Sequence, residues 1–168
     1  MVIPKIEKEI GILSFAGNRE QILMWSHYAN SHKGFCIGLN KKELQESIRP
    51  LLITEGKFIK LYDVLYQKSY PQINPLKVGQ DEYFALPLTI KSKAWEYEDE
   101  VRLIFKDGAD ELLKVEKKIF QDITLGCRMY EDNQNEILEI VKTEFDRLPV
   151  YKAMLSNDEF SLVFDRIQ

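Results

Sequence analysis

Two cysteines in a chain of 168 residues are too few for a disulfide framework, so a hydrophobic core must hold the fold. Cys36 and Cys127 both sit in apolar, strand-like surroundings and read as reduced, buried thiols. Histidine is as scarce. His27 and His32 lie five apart, missing the i, i+4 spacing that puts two ligands on one helix face, and no Cys or acid stands at metal-finger spacing, so no metal is expected. Nowhere do eighteen apolar residues follow one another, and the opening MVIPKIEKEIG has no signal-peptide apolar stretch, which points to a cytoplasmic protein without a membrane role. Positive charge is not in excess. With 23 Lys and Arg against 27 Asp and Glu, the formal charge of -4 provides no general attraction for phosphate backbones, which disfavours generic nucleic-acid binding. Gly34 and Gly38 bracket a strand without a G-x-G-x-x-G or Walker pattern, so no phosphate loop is read.

What is present is an ordinary globular composition, 45% hydrophobic and 30% charged, with 11% aromatic residues. A chain of this length buries roughly 70% of the surface that it exposes when unfolded, and a single domain over residues 1–168 is expected. There is no repeat, low-complexity tract or linker.

GILSFA, residues 11 to 16, reads as a buried strand ending at Gly17-Asn18, and Arg19 to Asn30 reads as a helix closed by the polar run to Lys33. GFCIGL from Gly34 is a second strand, followed by a helix from Lys41 with Asn40 as N-cap and Pro50 as its stop. KLYDVLYQ, residues 60 to 67, alternates as one strand; 68 to 79 is a loop; Gln80 to Lys93 is a helix kinked at Pro87. EVRLIFK, a turn at Lys106-Asp107-Gly108, ELLKV and IFQDITLGC supply further strands. Residues 132 to 148 form the clearest helix, with Ile137, Ile140, Val141 and Phe145 inward, and VYKAMLS and FSLVFDRI close the chain as a pair joined at Asn157-Asp158-Glu159. The pattern predicts an α+β domain with a mixed, largely antiparallel sheet and three to four helices.

Two places concentrate chemistry. Leu23 to Gly38, LMWSHYANSHKGFCIG, holds both histidines, Trp25, Tyr28 and Cys36 around one turn, but it pairs no nucleophile with a base. His27 there is either a base or donor to a ligand, or a helix-face histidine bonded to backbone, and Cys36 between apolar neighbours reads as core. The second place is Trp95 to Arg102, WEYEDEVR. A strand starting near Glu98 puts Glu98, Glu100 and Arg102 on one face and leaves Val101, Leu103 and Phe105 for the core. Two carboxylates beside one guanidinium support either an electrostatic stabiliser of an oxocarbenium-like centre or a salt-bridged strand edge. The lysines at 57, 60, 91, 93, 117 and 118 alternate with acids and read as solvated faces.

SFA at 14 to 16, MWSHYA at 24 to 29, HKGFCIG at 32 to 38, KAWEYEDEVRLI at 93 to 104 and ITLGCRM at 123 to 129 together resemble one family, the bacterial domain of unknown function twenty-nine seventy-one, from about Gly11 to the end. Its layout is similar to ADP-ribosyltransferase-type domains, in which a His-Tyr-like pair, an aromatic segment and a late glutamate surround NAD. On that resemblance Glu100 or Glu98 matches the glutamate that holds the nicotinamide ribose 2′-hydroxyl, and Trp25 and Tyr28 line the nicotinamide pocket. Members of the family carry an earlier segment with an Asn-Asp-Pro turn. This sequence has no Asn-Asp-Pro and starts almost at the first shared strand, so the resemblance implies a truncated or reduced member that binds a ligand without turning it over.

The reading is therefore a domain that binds a small ligand, such as a nucleotide, or a protein partner, with no cofactor of its own. Its ligand-binding residues are Trp25, His27, Tyr28, His32, Trp95 and Arg102, and Glu98 and Glu100 are its catalytic candidates. The alternative is an NAD-consuming transferase using the same residues, and only that alternative calls for NAD. Strand edges at either end would support a homodimer.

Overall fold

The computed structural model describes residues 9–54, 58–71, 79, 85–110 and 112–168. Lys57, Tyr83, Phe84, Glu111, most of the loop expected at 68–79 and the start of the helix expected at Gln80 fall outside them. Chain contacts divide the protein into two compact units, each discontinuous in sequence: Met1–Asn18 with Ile48–Lys114, and Arg19–Ser47 with Val115–Gln168.

The first unit is built on β6 (Val101–Lys106), which lies between β1 (Ile10–Phe15) and β3 (Ile59–Asp63), antiparallel to both. As the central strand, β6 is hydrogen-bonded along both edges, and its Leu103 and Ile104, which point to opposite faces, are both buried, whereas Val101 and Phe105 are only half-buried. β1, by contrast, is an edge strand. Its Ile12 and Leu13 are exposed, which corrects the expectation of a buried strand.

The strand expected over residues 60–67 is two strands. At Val64 the chain leaves β6: the Val64 amide donates to the Glu100 carbonyl (2.9 Å) and the Leu65 amide to the Thr89 carbonyl (2.8 Å). β4 (Leu65–Gln67) then pairs in parallel with β5 (Ile90–Ser92). The helix expected to reach Lys93 does not. Pro87 lies at the start of a 3-10 helix, Leu86–Leu88, that ends before β5, and a second 3-10 helix, Lys93–Glu98, follows. Residues 112–115 of ELLKV make no strand, because both edges of β6 are already taken by β1 and β3.

The second unit carries the order β2-β7-β8-β9, from β2 (Phe35–Leu39), β7 (Phe120–Leu125), β8 (Val150–Leu155) and β9 (Leu162–Arg166). β7 and β8 are parallel and the other neighbours antiparallel. A parallel pair needs a crossover, which α3 (Glu131–Glu144) supplies. Its Val141 packs with Ile123, Leu125, Met129, Leu148 and Val150, and Ile137, Leu138 and Phe145 close the edge of this core. Ile140 is exposed rather than inward; Leu138 takes its place at the core margin.

α1 (Ile22–Tyr28) is short and buries Trp25, while α2 (Lys41–Thr54) begins in this unit and ends in the other. The Asn40 side-chain oxygen accepts from the Glu43 amide (3.1 Å), the N-cap that the sequence predicts. Pro50 does not stop α2: it removes one donor from the helical ladder, and the helix continues to Thr54. The α+β class and the mixed, mainly antiparallel pairing hold, with the strands shared among separate sheets.

Candidate functional site

The E-x-E-x-R face forms, though not by the route that alternation suggests. Glu98 ends a 3-10 helix rather than beginning a strand, Asp99 takes a left-handed conformation (φ 46°, ψ 50°), and only from Val101 is the chain a strand. The left-handed residue reverses the path so that Glu98 and Glu100 both turn inward, 3% and 6% exposed. Gly17 packs beside this turn, where a Cβ would lie 2.1 Å from the Asp99 carboxylate and would oblige that side chain to move.

Lys91, read from sequence as a solvated lysine, lies between the two carboxylates. Its ammonium donates to Glu98 Oε2 and to Glu100 Oε2, the latter at 3.1 Å. Arg102 Nε donates to Glu100 Oε1 (2.7 Å), its Nη2 to Glu100 Oε2 (2.9 Å) and its Nη1 to the Leu88 carbonyl (2.6 Å). The Glu100 amide donates to Tyr66 Oη (2.8 Å). Buried ions persist only when paired, and here each positive group meets a carboxylate. Arg102 lies on the central strand and Glu98 and Glu100 just before it, so the E-x-E-x-R segment is not the charged sheet edge that the sequence also allows.

Burial alone would raise the Glu100 pKa. Hydrogen bonds from Arg102, Ser14 and Lys91, with the charge of Arg102, outweigh it and hold the carboxyl down at about 2. Lys91 shows the converse balance: burial pulls its pKa down, and the bonds to Glu98 and Glu100 raise it overall. Burial pushes the Tyr66 hydroxyl up, reinforced by the charges of Glu100 and Glu98. Around pH 7 Glu100 is therefore held as a carboxylate, Lys91 as an ammonium and Tyr66 as a neutral phenol.

Trp95 flanks this network with its ring centroid 5.2 Å from the Lys91 ammonium, close enough for a cation-π contact. It is 37% exposed, and Tyr97 lies beside it with centroids 6.0 Å apart and planes at 36°. Lys93 and Glu96 form an exposed pair on the same 3-10 helix.

Trp25, His27, Tyr28 and His32 belong to the other unit. Trp25 is a core residue whose indole N–H donates to the Arg19 carbonyl (2.7 Å). His27 and Tyr28 are exposed and meet edge to face at 6.1 Å. Asn30, Ser31 and His32 all have positive φ (48°, 53° and 68°), a left-handed turn held by the His32 amide on the Trp25 carbonyl (3.1 Å) and the Gly34 amide on the Ala29 carbonyl (2.8 Å). Burial lowers the His32 pKa, and Arg128 adds to the effect; its Nδ1 is buried without a hydrogen-bond partner. Cys36 is half-buried, with its thiol pushed up by burial first and by Asp122 second. It is a poor nucleophile.

Sequence reasoning missed Lys91, Tyr66 and Ser14. Lys91 is seven residues before Glu98 and Tyr66 thirty-four before Glu100, and no local pattern links such separations. No group of three or more metal-ligating side chains gathers among the described residues, and none of their helices is long and apolar enough to cross a membrane.

Residues 24–103 match the family described as Protein of unknown function (DUF2971). That range supports the family read from the sequence blocks and contains MWSHYA, HKGFCIG and KAWEYEDEVRL, while SFA and ITLGCRM lie outside it. No curated protein and no solved structure matches the chain.

Proposed function

We propose that the protein is a binding domain for a small polar ligand with a planar group, such as a nucleotide, recognised by Lys91, Trp95 and Tyr97. Glu98, Glu100 and Arg102 serve as the fixed charged base of that site. One observation carries this reading: a partly exposed Trp95 ring lies against a lysine whose position is set by two buried carboxylates. An aromatic face offers stacking of about 1–3 kcal/mol to a nucleobase, and a cation held in place costs little entropy on binding.

The alternative, an NAD-consuming transferase, needs a carboxylate available to a ribose hydroxyl. Glu100 has both oxygens engaged by Arg102, with Lys91 on one of them, and Lys91 also holds Glu98 Oε2, which favours binding over turnover.

Titration calorimetry with mononucleotides, ADP-ribose and NAD tests the proposal, with Trp95→Ala as the comparison. Binding weakened at least ~10-fold in the variant, about 1.4 kcal/mol, supports it. No heat from any of these ligands at millimolar concentration, or equal binding by the variant, sinks it. Nicotinamide release from NAD that is lost in Glu98→Gln or Glu100→Gln would instead establish the transferase.

A further inference from the structure

Two arginines, one in each unit, use their nitrogens in opposite ways. Arg102 spends Nε, Nη1 and Nη2 on protein acceptors. Arg19, in the other unit and outside the family match, uses only Nη1, which donates to Asp122 Oδ1 (3.1 Å) and to the hydroxyl of fully buried Thr124 (2.8 Å). Its Nε and Nη2 make no hydrogen bond to the described residues.

The Arg19 guanidinium lies against two aromatic rings, 4.2 Å from the Tyr151 centroid and 4.8 Å from that of Phe164. Its Asp122 partner is seated against Gly38, where a Cβ would come within 2.8 Å of the carboxylate. An arginine serving only as a clamp for Asp122 would present its Nε–Nη2 edge, the side that grips a carboxylate with two parallel bonds, as Arg102 does to Glu100. Here Asp122 takes a single bond at Nη1, the rings fix the plane, and the two-donor edge remains. The side chain is 27% exposed, so solvent reaches it.

We propose that the Nε–Nη2 edge of Arg19 is a recognition site for the carboxylate of a small ligand. Asp122 already offsets part of the arginine charge, which favours a singly charged, planar carboxylate over a dianionic phosphate.

The test is a titration of the full chain with acetate, and separately with inorganic phosphate, at ionic strength held constant with chloride. The readout is the set of arginine Nε–Hε resonances, assigned through bonds. A saturable shift of the Arg19 signal with acetate, weaker with phosphate, and an unmoved Arg102 signal is the expected result. Because Arg102 Nε is already bonded to Glu100, it is an internal control that needs no variant. No saturable shift at Arg19, equal shifts at Arg19 and Arg102, or stronger binding of phosphate overturns the proposal.

Discussion

Arg102 holds Glu100 with two parallel hydrogen bonds, Nε to Oε1 at 2.7 Å and Nη2 to Oε2 at 2.9 Å, beside the central strand of the first unit. Glu100 immediately precedes β6 and Arg102 is the second residue of that strand, so the short separation keeps the two side chains within reach of each other. Removing Arg102 leaves the buried Glu100 carboxylate with Lys91 as its one cation among the described residues. Arg102→Met is therefore expected to cost about 3–5 kcal/mol of unfolding free energy, measured by urea denaturation. The double variant with Glu100→Gln should lose less than the sum of the two single losses, because neither charge is then left without its partner. Simple additivity would show that the pair is not coupled.

The same pair makes stability depend on acid. The Glu100 carboxyl is held at about 2 in the fold against 4.5 for the ordinary side chain, so the unfolded chain takes up its proton first as pH falls. Its contribution is fully present above about pH 5 and declines as pH drops towards 2. Urea midpoints collected across that window should fall more steeply for the natural chain than for Glu100→Gln. Parallel slopes would remove Glu100 as the source.

His32 acts in a higher window. Burial and Arg128 lower its pKa below 6.5, so protonation favours the unfolded chain as pH falls from 6.5 until the folded histidine also titrates. Stability should decline over that interval in the natural chain and not in His32→Asn. An imidazole titration by NMR gives the folded value directly, and a value at or above 6.5 contradicts the expectation.

Gly126 permits a close backbone approach. A Cβ there would lie 2.2 Å from the His32 carbonyl oxygen and 2.7 Å from that of Gly34, and neither can swing away as a side chain would. The Gly126 amide donates to Gly34 and the Arg128 amide to His32, so movement would disturb both bonds. Gly126→Ala is expected to destabilise by about 1–3 kcal/mol in chemical denaturation, and an unchanged midpoint would refute the clash.

Asn40→Ala removes the side-chain acceptor at the start of α2 and should cost about 1 kcal/mol; Asn40→Asp should retain most of the stability. Equal losses in the two variants would mean that the cap bond is not the cause.

The local elements were legible where a local signal exists. The apolar spacing of Ile137, Val141 and Phe145 marks α3, Asn40 marks the start of α2, and Asn157-Asp158-Glu159 marks the turn between β8 and β9. Pro50 and Pro87 were harder to read, since the cost of a proline is set by what surrounds it. One sits within a helix and the other opens a 3-10 turn.

By itself the sequence determined the α+β class, most strand and helix positions, and the nearness of Glu100 to Arg102, because periodicity and a short separation suffice for these. Only the tertiary structure decided that Lys91 joins them, that the strand at 60–67 divides at Val64, and that Arg19 lies across β7, β8 and β9. Each of those depends on which distant strands pair and which ions must be neutralised once buried, and neither is encoded within a local window of residues.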